Sequence, residues 1–236
     1  MPDQAVSATP AITPDQGAVN PWDAVVPAAR YGRPGDNVGI TLTPLPAAQT
    51  VVFSLPRGAD AARAVAGPVR DVIGSSLPPT GQVRRIAGAP GTIVAWDGPG
   101  RYRWLHLGDA ARPANGATPA GHRAADCVAA LQAIGVAAVD QSHGQSVALL
   151  AGDAVPAVLG RGTSLDVHPA AFPVGSSAVT TFSHHGCHLA LLDETPTWVL
   201  STARSTLGSF TDALLSAASE FGVRIVHGDS APPGQK

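Results

Sequence analysis

The apolar residues of this chain fall into short β-branched runs broken by Pro and Gly, interleaved with a few stretches of helical spacing. Val38–Leu42 and Thr50–Leu55 read as strands. Gly58–Ile73 has Val65, Val69 and Val72 on one helical face, with a kink expected at Gly67-Pro68. Thr92–Trp96 and Tyr102–Leu107 flank D-G-P-G and predict a hairpin. His122–Ile134 stacks Cys127, Leu131 and Ile134 along one stripe, with Gly135 placed to end the helix. A strand at Val147–Leu150 leads to a short helix with Asp153 as its N-cap and Gly160 at its end. Strands follow at Ala178–Phe182, Cys187–Leu192 and Trp198–Ser201. The closing helix, about Ser205–Phe221, sets Leu207, Phe210, Leu214, Ala218 and Phe221 on one continuous face. Strand–helix–strand–strand–helix, stated twice, predicts an α+β fold of two ferredoxin-like halves sharing a core.

This order divides the chain. Residues 1–20 are expected to be a disordered tail, 21–222 one α+β domain with halves at about 38–135 and 136–222, and 223–236 a C-terminal tail. The segment Asn20–Gly35 reads as an arm lying across a partner chain, with Trp22, Val25, Val26 and Tyr31 as anchors.

Composition narrows the classes. A chain of 236 residues with 44% hydrophobic and 14% charged residues can bury a sizeable core. A net charge of −2 offers no footprint for nucleic acid or an anionic membrane. The cations are 14 Arg and one Lys, Lys236. Two cysteines make no disulfide framework, and no signal or spanning segment is evident, so a cytoplasmic location is expected.

Three constellations could carry chemistry. His184-His185-Gly186-Cys187-His188 has the donors of a zinc site but no second ligand pair at a motif spacing, and reads better as a turn. Asp140, Ser142 and His143 are the residue types of a hydrolase triad, yet lie nearly adjacent with no nucleophile elbow. Their better reading is a turn in which Asp140 and Ser142 bond local backbone and Gly144 takes an unusual φ. Asp166 and His168 on extended chain could form an acid–base pair. Alternatively Pro169 forces His168 extended and Asp166 caps the loop, making the segment through Phe172 an interface feature. Gly160-Arg161-Gly162 is no dinucleotide fingerprint. No catalytic, cofactor or metal residue is assigned from these patterns.

The order G-R-P-G-D-N-V-G-I-T-L, W-D-G-P-G-R-Y-R-W-L, V-D-Q-S-H-G-Q-S-V-A-L-L-A-G and L-G-R-G-T-S-L-D-V-H-P-A-A-F-P resembles the gamma subunit of heterotetrameric sarcosine oxidase, from about Tyr31 to Phe221. The resemblance implies a fold related to the folate-binding domain of aminomethyltransferase. It implies a non-catalytic accessory subunit in a complex with alpha, beta and delta chains that oxidises sarcosine to glycine. It implies no cofactor in this chain, with FAD, FMN and NAD in the large subunits, zinc in the smallest, and tetrahydrofolate as one-carbon acceptor. Thr163-Ser164 replaces the family's usual Cys-Pro, which leaves room for a sister complex acting on another N-methylated amine or amino acid. A stand-alone folate-binding one-carbon transferase is the reading from a different class. Trp22, Tyr31, Ser142, His143, Asp166, His168, Pro169 and Phe172 are the candidate interface or structural residues.

Overall fold

The computed structural model describes residues 21–22, 25, 29–32, 38–108 and 123–227. The expected tail at 1–20 and the end beyond residue 227 lie outside the described residues. Strand β1 is Arg30–Tyr31, β2 Ile40–Pro44 and β3 Gln49–Ser54, followed by helix α1, Ala59–Ile73. Then come β4 Val83–Arg85, β5 Thr92–Gly98, β6 Arg101–His106 and α2 Ala124–Ala133. The second half runs β7 Ala137–Asp140, β8 Gln145–Ala151, α3 Val155–Gly162, β9 Ser177–Phe182, β10 His185–Leu191 and β11 Thr197–Ala203. A 3₁₀ turn at Arg204–Thr206 leads into α4, Leu207–Ala218, and β12 is Val223–Ile225.

Two sheets result, of order β1-β12-β2-β8-β11-β10-β9 and β4-β5-β6-β3-β7. The pairings are antiparallel except β12 with β2. Strand alternation explains the layering. Along β8, Ala148 and Leu150 join a core with α3 and α4, whereas Val147 faces the second sheet beside Ile93 and Leu105. On the far side of the second sheet, Val51, Phe53, Val94 and Trp104 pack on Val69 and Ile73 of α1 and Leu131 of α2. The molecule is therefore four layers, helices–sheet–sheet–helices, an α+β arrangement as expected from the element order.

Several expectations need correction. The division near residue 135 does not separate the sheets: β2 pairs with β8 and β12, and β7 pairs with β3, so each half lends a strand to the other sheet. Residues 223–225 are no tail, because Val223 and Ile225 are buried and paired with β2. Ala154, not Asp153, occupies the N-cap of α3, which runs to Gly162 rather than stopping at Gly160. Helix α1 continues through Pro68, held by tertiary packing of Val69 and Ile73.

The helix end at Gly135 falls as expected: Gly135 has φ 79°, and its N–H donates to the Gln132 carbonyl at 3.0 Å. Gly162 has a packing role instead. A Cβ there would lie 2.3 Å from the Phe182 ring, so the last turn of α3 passes Phe182 closely only because glycine stands at that position.

Candidate interface site

Asp140, Asp166 and His168 bond local backbone as expected, whereas the Ser142 hydroxyl bonds the Asp140 side chain and the amide of Thr50, far away in the chain. At the β7–β8 turn the Ser142 amide and hydroxyl donate to Asp140 Oδ1 at 2.8 and 2.6 Å, and the Thr50 amide donates to Ser142 Oγ at 3.0 Å. This is the Asx turn the sequence suggests. Gly144, however, has no positive φ, and the one atom a Cβ would crowd is the movable end of a side chain, Gln141 Oε1 at 2.7 Å, so the turn does not depend on glycine there. His143 is exposed.

The second segment repeats the device. The His168 amide donates to Asp166 Oδ1 at 3.0 Å, and the Ala170 amide donates to His168 Nδ1 at 3.2 Å. Asp166 thus caps the loop and His168 braces the backbone after Pro169, which replaces the acid–base alternative with a structural one. Phe172 is buried against Trp198, rings parallel within 14° at 5.1 Å.

The His184–His188 cluster is dispersed by strand geometry. Ser183 and His184, with φ of 45° and 74°, form the two-residue β9–β10 turn. Cys187 and His185 then point towards α4, while His188 faces the other sheet. Burial pushes the Cys187 thiol up to about 12, making it a core residue rather than a ligand or nucleophile. Cys127 behaves alike, pushed up to about 11 by burial. Among the described residues no group of three or more His, Cys, Asp or Glu stands close enough to hold a metal ion.

Trp22 and Tyr31 do not sit as exposed arm anchors. Trp22 is 1% exposed within the core under α3 and α4, and Tyr31 packs half-buried against that core as β1 pairs with β12. Val25, whose amide donates to the Trp22 carbonyl at 3.0 Å, packs partly buried against the same core, and Val26 lies outside the described residues.

Sequence reasoning missed the buried charge between the sheets. A β-bulge between Trp96 and Gly98 turns Asp97 inward. Arg103 Nε and Nη2 donate to Asp97 Oδ1 at 3.1 and 3.0 Å. Its Nη1 reaches Ser201 Oγ at 2.9 Å and Gln145 Oε1 at 3.2 Å. Burial lowers the Arg103 pKa, opposed by the Asp97 carboxylate. Nearby, His188 Nε2 lies 2.9 Å from Ser177 Oγ, whose hydroxyl donates to the Trp96 carbonyl at 3.0 Å. That arrangement makes Nε2 the protonated nitrogen. Burial, then the Arg103 charge, holds the His188 pKa well below its usual 6.5. The network ties the sheets together; only the D-G-P-G turn signal hinted at a bulge.

Two depressions flank these features. One, about 360 Å³, lies where the chain crosses between sheets, at Leu45–Gln49 and again at Asp140–Val147, and includes Trp22, Arg123 and Arg204. The other, about 460 Å³, lies beside the Asp166–Pro173 loop. Val167, Pro169, Phe172, Pro173, Val174 and Trp198 line it, with Asp153, Asp193 and Glu194 also present.

The fold is that of a chain in a multi-subunit oxidase. It superposes on a chain of heterotetrameric sarcosine oxidase from Corynebacterium sp. U-96 in complex with pyrrole 2-carboxylate. The TM-score is 0.63 at 22% identity, covering 79% of this chain and 87% of that one. The architecture is shared with glycine cleavage system aminomethyltransferase T from Bartonella henselae. There the TM-score is 0.53 at 12% identity, over 80% of this chain and 48% of that one. Sequence decides the family. Residues 57–220 match the model of the sarcosine oxidase, gamma subunit family. A sarcosine oxidase subunit gamma from Corynebacterium sp. (strain P-1) is 32% identical over 156 residues, 64% of this chain and 68% of that protein. The chain belongs to the sarcosine oxidase, gamma subunit family.

Proposed function

We propose that this chain is a non-catalytic accessory subunit of a heterotetrameric, flavin-dependent sarcosine oxidase-type complex. Family membership across residues 57–220 carries the reading. The bonding of Asp140, Ser142, Asp166 and His168 supports it, since each is used to shape a turn. In such a complex sarcosine is demethylated to glycine, the one-carbon unit leaves as formaldehyde or passes to tetrahydrofolate, and oxygen is reduced to hydrogen peroxide. The partners are the alpha, beta and delta subunits. FAD, FMN and NAD belong to the large chains and zinc to the smallest. The complex is cytoplasmic; no helix among the described residues is long and apolar enough to cross a membrane.

The Asp166–Pro173 loop and the groove beside it form the docking face. Apolar lining with Asp153 and Glu194, beside an Asp193 already paired with Arg85 at 3.1 Å, suits an apolar partner segment carrying a basic residue. Val174, 46% exposed, offers apolar surface there. Val174→Glu leaves the fold intact, with a stability change of about 0.5 kcal/mol or less, yet weakens co-purification with the partner subunits. The full chain expressed alone is colourless and forms no peroxide from sarcosine. Bound flavin or peroxide production by that chain contradicts the accessory role. Likeness to the aminomethyltransferase is one of fold, so tight tetrahydrofolate binding by the chain would be the result that favours a transferase instead.

A further inference from the structure

We infer that the outer edge of β9 is where an extended segment of a partner subunit adds a strand to the larger sheet. The inference rests on the subunit reading and states how a partner engages this chain. Strand β9 is the last of its sheet and has only β10 beside it.

The register decides which backbone groups face outward. Phe182 and His185 close the two-residue turn, so Phe182, Thr180 and Ala178 exchange backbone bonds with β10. Ser177, Val179, Thr181 and Ser183 direct theirs away from it. The two ends of that row are already taken. The Ser177 amide donates to the Gly81 carbonyl at 2.7 Å, and the Ser183 amide to the Gly162 carbonyl at 2.8 Å. Between them the N–H and C=O groups of Val179 and Thr181 have no partner among the described residues.

The other edges are protected and this one is not. Strand β1 is 2 residues long, β4 carries Arg84 and Arg85, and β7 ends at Asp140 with its Ala138 carbonyl bonded to Gln132 Nε2 at 3.0 Å. Strand β9 reads S-A-V-T-T-F, with no charge, proline or bulge to discourage pairing. Val179, 48% exposed, and the exposed Thr181 lie on the face that bears His188, where the smaller sheet no longer covers them.

The flanks choose the occupant. Gly81 and Gly162 stand beside Ser177 and Ser183, in the line that a pairing strand takes. Two copies of β9 are thereby kept from lying flush: pairing about Thr180 would put Ser177 of a second copy where Gly162 already stands. A single extended segment, roughly 20 Å long, fits between the flanks. Backbone bonds to Val179 and Thr181 hold it, and its alternate side chains pack on Val179. Val174, on the wall of the docking groove, precedes the strand by one tight turn, so the edge continues that face.

The test is residue-resolved amide hydrogen exchange across residues 178–182, in the full chain alone and in the complex isolated from its own cell. In the free chain the Val179 and Thr181 amides exchange fast while those of Ala178, Thr180 and Phe182 are protected. In the complex both outward amides slow by about tenfold or more. Thr181→Pro removes only an outward donor, and proline is tolerated where the amide faces away from the ladder. It weakens binding of the partner subunits by about tenfold, whereas Thr181→Val, which keeps the amide, behaves as the native chain. Should Thr181→Pro fail to fold, exchange in the native complex still decides. Unchanged exchange of both amides in an intact complex overturns the inference and leaves the subunit reading standing, as does equal weakening by both variants. Protection of those amides in a dimer of the free chain overturns it as well, because a second copy is then the occupant. A chain recovered without partner subunits overturns the subunit reading and this inference with it.

Discussion

The two turns at Asp140–Gly144 and Asp166–Pro173 use the same local device and present opposite surfaces. In each, an aspartate Oδ1 accepts the amide two residues on, at 2.8 Å from Ser142 and 3.0 Å from His168. The first turn borders a cleft containing two arginines and rests on the ionic network of Arg103, Gln145 and Ser201. The second borders an apolar groove containing three carboxylates and rests on the Phe172–Trp198 stack. A D-x-S-H or D-x-H string therefore specifies a backbone shape. The surface it offers is decided by which layers meet beneath it.

The support beneath each turn can be removed separately. Phe172→Ala removes the aromatic support of the second turn and costs about 3–5 kcal/mol in urea unfolding, with loss of co-purification. Loss of stability without any effect on co-purification separates the groove from docking. Asp97→Asn acts on the first turn by leaving Arg103 as an uncompensated buried charge, a cost of about 3 kcal/mol. Because the pair is buried, that cost changes little between low and high salt.

Smaller changes compare the turns themselves. Ser142→Ala takes the acceptor from the Thr50 amide and costs about 1–2 kcal/mol, while Asp166→Ala in the exposed loop costs about 0.5–1 kcal/mol. Equal costs would show that the turns are equally supported. His188 adds a pH signature to the ionic side alone. The unfolded chain takes up its proton below about pH 6.5 and the folded chain does not, so stability falls with decreasing pH by on the order of 1 kcal/mol per unit. No such loss arises above pH 6.5. Urea midpoints at pH 7.5, 6.5 and 5.5 check this, with His188→Gln showing the shallower slope.

How much of this was legible depends on sequence distance. Helix α4 and the β5–β6 hairpin are local: the Leu207–Phe210–Leu214–Ala218 face and the D-G-P-G turn carry their own signals. Strands β4, β7 and β12 are three or four residues long and exist because partners far along the chain pair with them. The exchange of β2 and β7 between sheets is likewise non-local, which is why a division near residue 135 looked natural. The turns at Asp140 and Asp166 could be anticipated because Asx bonding is local. The bulge that buries Asp97, and the presence of Arg123 and Arg204 on one cleft, could not. Trp22 misled for the opposite reason: its irregular flanks suggested an arm, while its side chain belongs to the chain's own core.

This chain works as one component of an oxidase complex. The most direct test of that role is native mass measurement of the tagged full chain isolated under mild conditions from its own cell. The expected result is an assembly containing this 23.8 kDa chain with three other kinds of subunit, active on sarcosine or a closely related N-methyl amine. Recovery of the chain alone, at 23.8 kDa and carrying its own activity, would contradict it.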